Sequence, residues 1–255
     1  PYFVNDALLR DDMGEDYGVA SCYNSLKLGG GSHTLVRLNL KQAAGLAKDL
    51  PDFLNRVLPE LTDAQCETIN ARAKFIVEEI KFFESSFLAR EGIIDVDKFT
   101  SMAGEYGLFE CVEILTGGLK MGTDKAADEA AVQIIDRWVE LVEQHEGLYC
   151  KGTGGKIGIH AQSLIQSDKE LTAGVRIKIG CEPPLFDQIK LESRLQKPFN
   201  TGISDIYIFD KTAKTNPEGV LKIIKGAFQN GMKIMAVNCA DSELIRVTGY
   251  LVKKS

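Results

Sequence analysis

The chain has few of the features that would assign it to a membrane, an export route or a metal site. It contains one tryptophan and three histidines in 255 residues, and no two of its six cysteines form a Cys-x-x-Cys pair. A structural zinc site or an iron–sulfur cluster of ordinary spacing is therefore not expected. No apolar run is long enough to span a bilayer, and no signal-peptide pattern opens the chain, so neither membrane insertion nor export is expected.

A concentrated basic surface is also missing. The chain carries 30 basic and 36 acidic residues, a net charge of −6, without a dense basic patch. Nucleic acid is therefore not expected as a partner. In a chain of this size without export features, the cysteines are expected as thiols and not as disulfides. We expect a cytoplasmic protein, folded as a single domain over residues 1–255.

Helical periodicity marks four stretches. Thr62 and Gln65 have the spacing of a capping box, and the apolar stripe that follows predicts one long helix from about 62 to 87. Further helices are predicted over 97–115, over 123–145 and from Pro217 to about 230.

Short apolar runs predict strands at 34–40, 203–209 and 233–239. The last two flank the helix from Pro217, an arrangement that favours a βαβ unit with parallel strands. The stretch 147–195, rich in glycine, lysine and proline, is predicted to form loops that line a site. The fold class predicted from these elements is α/β.

Gly249, near the C-terminus, lies among residues that favour extended structure. Because glycine has no side chain, a radical at its α-carbon can flatten and delocalise into the flanking amide groups. A turn or bulge glycine is the alternative. The segment Arg-Val-Thr-Gly-Tyr at 246–250 resembles the signature of glycyl radical enzymes, and this resemblance assigns radical storage to Gly249.

A second motif lies near the start of the chain. Cys22 has polar neighbours and is followed by three glycines at 29–31 and by the strand from Thr34. That order resembles the cysteine loop of anaerobic ribonucleotide reductases. The resemblance implies that the radical passes from Gly249 to Cys22, whose thiyl then abstracts hydrogen from the substrate. A buried, inert cysteine is the alternative.

Similarity to the YjjI-type family of glycyl radical proteins runs through most of the chain. The blocks that carry it occur in the same order, at 30–40, 86–92, 160–163, 201–206 and 246–250. The resemblance implies the C-terminal half of a ten-stranded α/β barrel, with a cysteine finger loop at about 17–33 and a glycyl radical segment at about 233–255. It also implies an N-terminal half, in the same or a separate chain.

The resemblance further implies how the radical arises. An activating enzyme with a [4Fe–4S] cluster and S-adenosylmethionine would remove a hydrogen atom from Gly249, and the chain itself would bind no cofactor or metal. The activity implied is that of an oxygen-sensitive enzyme of anaerobic metabolism that acts on a small polar metabolite. A homodimer is left open.

Three further residues are candidates for the site. Glu110 and Cys111 follow Gly107 in a stretch similar to one in anaerobic ribonucleotide reductases, which implies that both face the cavity. Glu110 is then a proton-transfer group or a hydrogen-bond acceptor, with a solvated helix glutamate as the alternative. His160 is a candidate acid or base near neutral pH, with a structural histidine as the alternative.

Departures from the resembled enzymes leave the reaction type and the substrate open. Ser21 precedes Cys22 where pyruvate formate-lyases carry a second cysteine, and Asn24 stands where diol dehydratases and choline lyases carry glutamate. The C-terminal zinc-binding cysteines of anaerobic ribonucleotide reductases are missing. Two alternatives to a glycyl radical enzyme remain: a non-catalytic radical-bearing subunit that complements a partner enzyme, and an ordinary α/β binding module.

Overall fold

The computed structural model of the protein describes residues 2–20, 22–161, 171–203, 205–239, 244–247 and 250–253. Helices and strands alternate through them, so the predicted α/β class is confirmed. The strands are β1 Tyr2–Val4, β2 Tyr17–Val19, β3 Ser25–Lys27, β4 Gly31–Asn39, β5 Phe99–Tyr106, β6 Gly158–Ile159, β7 Ile206–Phe209, β8 Ile234–Cys239, β9 Leu244–Val247 and β10 Tyr250–Lys253. The α-helices are α1 Asp6–Met13, α2 Leu40–Ala44, α3 Leu50–Asp52, α4 Leu58–Lys74, α5 Phe82–Ser85, α6 Phe87–Arg90, α7 Leu108–Leu115, α8 Lys125–Glu143, α9 Leu185–Gln196 and α10 Pro217–Gln229. The π-helical segments Phe53–Val57 and Phe75–Glu79 flank α4, and short 3₁₀ helices cover Val96–Lys98, Lys151–Thr153 and Lys211–Lys214.

No helix within this described part of the chain is long and apolar enough to cross a membrane.

Two three-stranded sheets form the centre of the fold. In the first, β4, β5 and β6 pair in parallel; in the second, β7 and β8 are parallel and β1 joins β8 antiparallel. A parallel bridge between Ala161 and Ile203 connects the chain after β6 to the chain before β7. We call residues 158–161 together with 200–203 the seam, because they join the two sheets. The strands β4 to β8 therefore run parallel across it.

Gln65 of α4 connects the first sheet to two helices. Its Nε2 donates hydrogen bonds of 2.8 Å to the carbonyl oxygens of Val36 on β4 and Gly104 on β5, and its Oε1 accepts one of 3.0 Å from Nε1 of Trp138 on α8. Gln65 and Trp138 are both buried. Because buried polar atoms are nearly always paired, this network fixes how α4 and α8 lie over the two strands.

Trp138→Phe tests this network. The substitution removes the indole N–H and leaves Oε1 of Gln65 buried without a donor, so we expect the free energy of unfolding to fall by about 1–3 kcal/mol. Chemical denaturation measures the change. In a Gln65→Leu background Oε1 of Gln65 is absent, so the same Trp138→Phe change leaves no further acceptor unpaired and should destabilise much less. Equal losses in the two backgrounds would contradict the role given to Gln65.

The helix predicted over 62–87 differs from the structure at both ends. It begins upstream, and Thr62 lies buried inside α4, where its hydroxyl donates to the carbonyl of Leu58 at 2.7 Å. The predicted capping box is therefore wrong, since the Gln65 side chain is bonded to the sheet. The helical run stops before Lys81, which has a left-handed φ of 53°, and Phe87 beyond it is exposed.

The helix predicted over 97–115 is wrong in its first half. Residues Phe99–Tyr106 form β5, the middle strand of the first sheet, and α7 begins only at Leu108. Gly107, with a φ of 77°, separates the two elements. Residues 99–105 are all buried, so the alternation of apolar and polar residues that identifies a half-exposed strand is absent.

The remaining predicted helices and strands are all present. The helices over 123–145 and from Pro217 are α8 and α10, and the three predicted strands are β4, β7 and β8. The parallel pairing of β7 with β8 is confirmed. The stretch 147–195, predicted as loops, contains helix α9 after Pro184, and this part of the prediction is wrong.

Candidate active site

Cys22 lies in the turn of the hairpin formed by β2 and β3, which we call the cysteine hairpin (residues 17–27). Two backbone bonds of 2.9 Å close the turn, from the Ala20 N–H to the Asn24 carbonyl and from the Tyr23 N–H to the Ala20 carbonyl. Tyr23 has a left-handed φ of 60°. Cys22 is a half-buried free thiol. Its sulfur is therefore held in a turn and not in the apolar face of a helix.

The cysteine hairpin lies against the seam. The Ser25 N–H donates a hydrogen bond of 3.0 Å to the Thr201 carbonyl, and Gly202 contacts the backbone of Tyr23. The Thr201 carbonyl also accepts a bond of 3.1 Å from Nδ1 of His160. One carbonyl oxygen thus joins the cysteine hairpin, the seam and His160.

His160 is fully buried at the seam. Its Nε2 is enclosed without a hydrogen-bond partner among the described residues. Burial lowers the pKa of His160 to about 4, although hydrogen bonding to the backbone at Gly202 and Thr201 opposes this shift. The ring is therefore neutral at neutral pH, with its proton on Nδ1. This environment favours a positioning role over the predicted acid or base role near neutral pH.

Glu110 lies in the first turn of α7 and is 4% exposed, so it is not a solvated helix glutamate. Its Oε2 accepts hydrogen bonds from the Thr172 N–H at 3.2 Å and the Thr172 hydroxyl at 2.9 Å. Its Oε1 has no hydrogen-bond partner among the described residues and lies 4.0 Å from Nζ of Lys178. One oxygen of this carboxyl group is therefore available, and a role in proton transfer or substrate contact stays a prediction.

Cys111, the next residue of α7, packs in the main hydrophobic core and is fully buried. Burial raises the pKa of its thiol well above the usual range, and the nearby carboxyl groups of Glu105 and Glu110 raise it further. The structure therefore places Cys111 inside the core, whereas the sequence predicted that it faces a cavity.

Three buried carboxyl groups were not predicted from the sequence: Glu105 on β5, Glu192 on α9 and Asp205 before β7, which we call the acidic cluster. Neither oxygen of Glu105 has a hydrogen-bond partner among the described residues. Burial and the nearby Asp205 raise the pKa of Glu105 to about 8, while Arg37 opposes the shift. Glu105 therefore holds a proton through much of the neutral range.

The other two members of the acidic cluster are hydrogen-bonded. Glu192 accepts from the Tyr207 hydroxyl and from Nε2 of Gln188, and Asp205 accepts from Nε2 of Gln196 at 2.7 Å. Burial raises the pKa of Glu192 to about 8, with a contribution from the Asp205 charge, and it raises the pKa of Asp205 to about 6.

The signals that point to this cluster are weak in the sequence. Asp205 falls within the block 201–206 that carries the family resemblance, but no spacing relates it to Glu105 or Glu192. Both glutamates also lie on elements that the sequence predicted wrongly.

Gly249 lies outside the described residues. The strands β9 and β10 on either side of it pair antiparallel, with Val247 opposite Tyr250. Among the residues that the structure describes, no group of three histidine, cysteine or acidic side chains is arranged to hold a metal ion.

A cleft of about 370 Å³ opens where β7 ends and α10 begins. Two of the backbone amides that could bind an anion there already donate to side chains of the protein. Asn216 accepts from the Gly219 N–H at 2.9 Å, and Asp210 accepts from the Thr212 N–H at 2.8 Å. The cleft is therefore not assigned to a phosphate or carboxylate.

The chain matches known proteins over its whole length. Residues 1–255 match the model of the family Glycyl radical enzyme YjjI-like. An uncharacterized protein of Haemophilus influenzae is 40% identical over 262 residues, a match that covers 100% of this chain and 51% of that protein. The chain spans about half the length of the curated relatives it matches.

Solved structures with the same fold include a dehydratase and a ribonucleotide reductase. Hydroxyproline dehydratase from Clostridioides difficile, solved with trans-4-hydroxy-L-proline bound, gives a TM-score of 0.73 at 12% identity over 99% of this chain and 46% of its own. The anaerobic ribonucleotide reductase from Thermotoga maritima with citrate in the active site gives 0.65 at 15% identity over 83% of this chain and 40% of its own. At such low identities these likenesses show the fold alone. Since the family model covers every residue from 1 to 255, the chain belongs to the YjjI-like glycyl radical enzyme family.

Proposed function

We propose that the chain forms the C-terminal, radical-bearing half of the barrel of an oxygen-sensitive glycyl radical enzyme. Gly249 stores the radical, and Cys22 receives it and abstracts a hydrogen atom from a small polar metabolite. The observation that most supports this proposal is the position of Cys22, a free thiol in the tight turn of a hairpin that is hydrogen-bonded to the seam. The segments at 17–33 and 233–255 are then the cysteine finger loop and the glycyl radical segment.

The proposed chemistry consists of two hydrogen-atom transfers. The Cys22 thiol gives its hydrogen to the α-carbon radical of Gly249, which becomes an ordinary glycine while the sulfur becomes a thiyl. The thiyl then takes a hydrogen atom from a substrate C–H bond, which regenerates the thiol and leaves a carbon radical. Neither transfer moves net charge, so they depend on positioning and on exclusion of water more than on acid–base groups.

The buried groups near the seam are consistent with such a site. His160 is neutral and Glu105 holds a proton through much of the neutral range, so neither brings a full charge close to the radical pathway. Glu110, whose Oε1 accepts no hydrogen bond from the described residues, is the group we assign to contact with a hydroxyl or to proton transfer after hydrogen abstraction.

Two partners follow from this proposal. A radical S-adenosylmethionine activating enzyme with a [4Fe–4S] cluster generates the radical at Gly249, and an N-terminal half completes the barrel. A small hydroxylated compound is the substrate class we propose, by analogy with the trans-4-hydroxy-L-proline bound in the related dehydratase structure.

Anaerobic activation tests the proposal. Incubation with an activating enzyme, S-adenosylmethionine and a reductant should give the wild-type protein an organic radical signal, split into a doublet by the remaining α-hydrogen. Gly249→Ala should give none. Gly226→Ala, at a helix position with open space around it, should keep the signal. A signal that persists in Gly249→Ala would place the radical elsewhere.

The alternative function, a non-catalytic subunit that supplies a radical to a partner enzyme, needs Gly249 but not Cys22. The two functions therefore predict different effects of Cys22→Ser on hydrogen exchange at Gly249: exchange is lost if Cys22 receives the radical and is kept if it does not.

Oxygen provides a further check on the position of the radical, because air should cut the activated chain at residue 249. Mass spectrometry should detect the shortened product.

A further inference from the structure

Gly202 lies where the cysteine hairpin meets the seam, with a left-handed φ of 98°. A Cβ atom at this position would overlap the carbonyl oxygen of Tyr23 and would lie 2.9 Å from the backbone nitrogen of Ser25. Both atoms belong to the backbone of the cysteine hairpin and not to the end of a flexible side chain. Only a residue without a side chain therefore allows the hairpin to lie where it does.

Of the two segments that meet at Gly202, the seam is more firmly anchored than the cysteine hairpin. Thr201 is fully buried, and its N–H and hydroxyl both donate to the Ile159 carbonyl, at 3.1 and 2.8 Å. The Gly202 carbonyl accepts from the Ala161 N–H at 3.2 Å. These bonds fix residues 201–202 to the first sheet. A side chain at 202 would therefore displace the hairpin and not the seam.

We infer that Gly202 is a positioning residue that sets the location of the Cys22 thiol. Cys22 is adjacent to Tyr23, the residue whose carbonyl Gly202 contacts, so movement of one moves the other. The expected slowing of hydrogen transfer rests on the role proposed above for Cys22, whereas the expected displacement of the cysteine hairpin does not. A displacement of the order of 1 Å slows a reaction between positioned groups by about 100-fold.

Gly231 supplies a matched control. It has a φ of 93°, close to that of Gly202, but a Cβ atom there would meet no atom within 4 Å. Gly202→Ala and Gly231→Ala therefore introduce comparable backbone strain, and only Gly202→Ala introduces the clash with the hairpin.

The structural test uses the purified full chain without activation. In Gly202→Ala we expect the amide of Ser25 to exchange hydrogen for deuterium faster than in wild type, because its bond to the Thr201 carbonyl is lost. Cys22 should also be alkylated faster, while Cys181, a second half-buried free thiol, serves as the internal reference. Gly231→Ala should leave both rates unchanged. Equal rates at Ser25 and Cys22 in the two variants would overturn the inference.

A second variant covers the case in which Gly202→Ala does not fold. Replacing the turn residues 20–24 with a two-residue Asn-Gly turn removes the Tyr23 carbonyl. The Ser25 nitrogen remains 2.9 Å from the Cβ position, so in that background Gly202→Ala should fold and lower Tm by more than Gly231→Ala does, but by less than it does in the otherwise wild-type chain. Failure to fold there as well, or a loss of Tm as large as in the otherwise wild-type chain, would show that the Tyr23 carbonyl is not what excludes a side chain at 202.

The functional test uses the activated protein in D₂O. A thiol exchanges its hydrogen with solvent, so repeated transfer between Gly249 and Cys22 replaces the α-hydrogen and collapses the radical doublet. Gly202→Ala should form the radical normally but lose its doublet about 100-fold more slowly than Gly231→Ala. If Ser25 and Cys22 respond as expected but this exchange is not slowed, the positioning inference stands and the proposed role of Cys22 fails.

Discussion

Cys22→Ser is expected to retain the glycine radical and to lose its exchange with solvent hydrogen. A serine O–H bond is much stronger than a thiol S–H bond, so the hydroxyl cannot pass a hydrogen atom to the radical at Gly249. Each additional 1.4 kcal/mol of barrier slows the transfer about tenfold, so exchange should fall by about three orders of magnitude or more. The measurement is the radical doublet in D₂O after anaerobic activation, which should collapse in the wild type and persist in the variant.

Cys181→Ser is the control for this experiment. Cys181 is the other half-buried free thiol among the described cysteines, and its removal should leave the collapse of the doublet unchanged. Collapse at the wild-type rate in Cys22→Ser would remove Cys22 from the pathway. That result, together with a radical that still depends on Gly249, would favour the non-catalytic subunit over the enzyme.

The elements that the sequence predicted correctly are those with strong local signals. The helix α10 begins at Pro217, is capped by the Asn216 side chain and lies between two apolar runs, so neighbouring residues suffice to define it. The strands β7 and β8 follow from the same local pattern, and their parallel pairing follows from the helix between them.

The elements that it predicted wrongly are determined by tertiary packing. Strand β5 is buried on both faces, so its sequence lacks the alternation of a half-exposed strand. Gln65 has the spacing of a capping residue, but its side chain bonds to two strands that are distant in sequence. Local patterns cannot distinguish these uses of the same residue types.

The residues of the candidate site also differ in whether local sequence could predict them. Cys22 was predicted to lie in a loop from its polar and glycine-rich surroundings, and it does lie in a turn. The sequence around Gly202 gave no such signal. What excludes a side chain at this position is the carbonyl oxygen of Tyr23, a residue near the opposite end of the chain. The acidic cluster likewise exists only once β5 and α9 are folded together.

Glu105 should make the stability of the protein decrease with pH. Its pKa is raised from 4.5 to about 8 by burial and by the nearby Asp205 charge, against the opposing effect of Arg37. Below pH 4.5 both the folded and unfolded states hold this proton. Between pH 4.5 and 8 only the folded state holds it, so the unfolded state binds fewer protons and the free energy of unfolding falls as pH rises. Above pH 8 this contribution is flat.

Glu105→Gln should remove most of that slope. Glutamine occupies nearly the same volume but does not titrate, so the variant should match the wild type near pH 4.5 and become more stable than it as the pH approaches 8. At about 1.4 kcal/mol per pH unit, the difference reaches the order of 3–5 kcal/mol. Denaturant unfolding across this range measures it, with Glu67→Gln on the exposed face of α4 as the control that should follow the wild type. A Glu105→Gln curve parallel to the wild-type curve would mean that Glu105 is already ionised in the folded protein, with a charged partner that stabilises it.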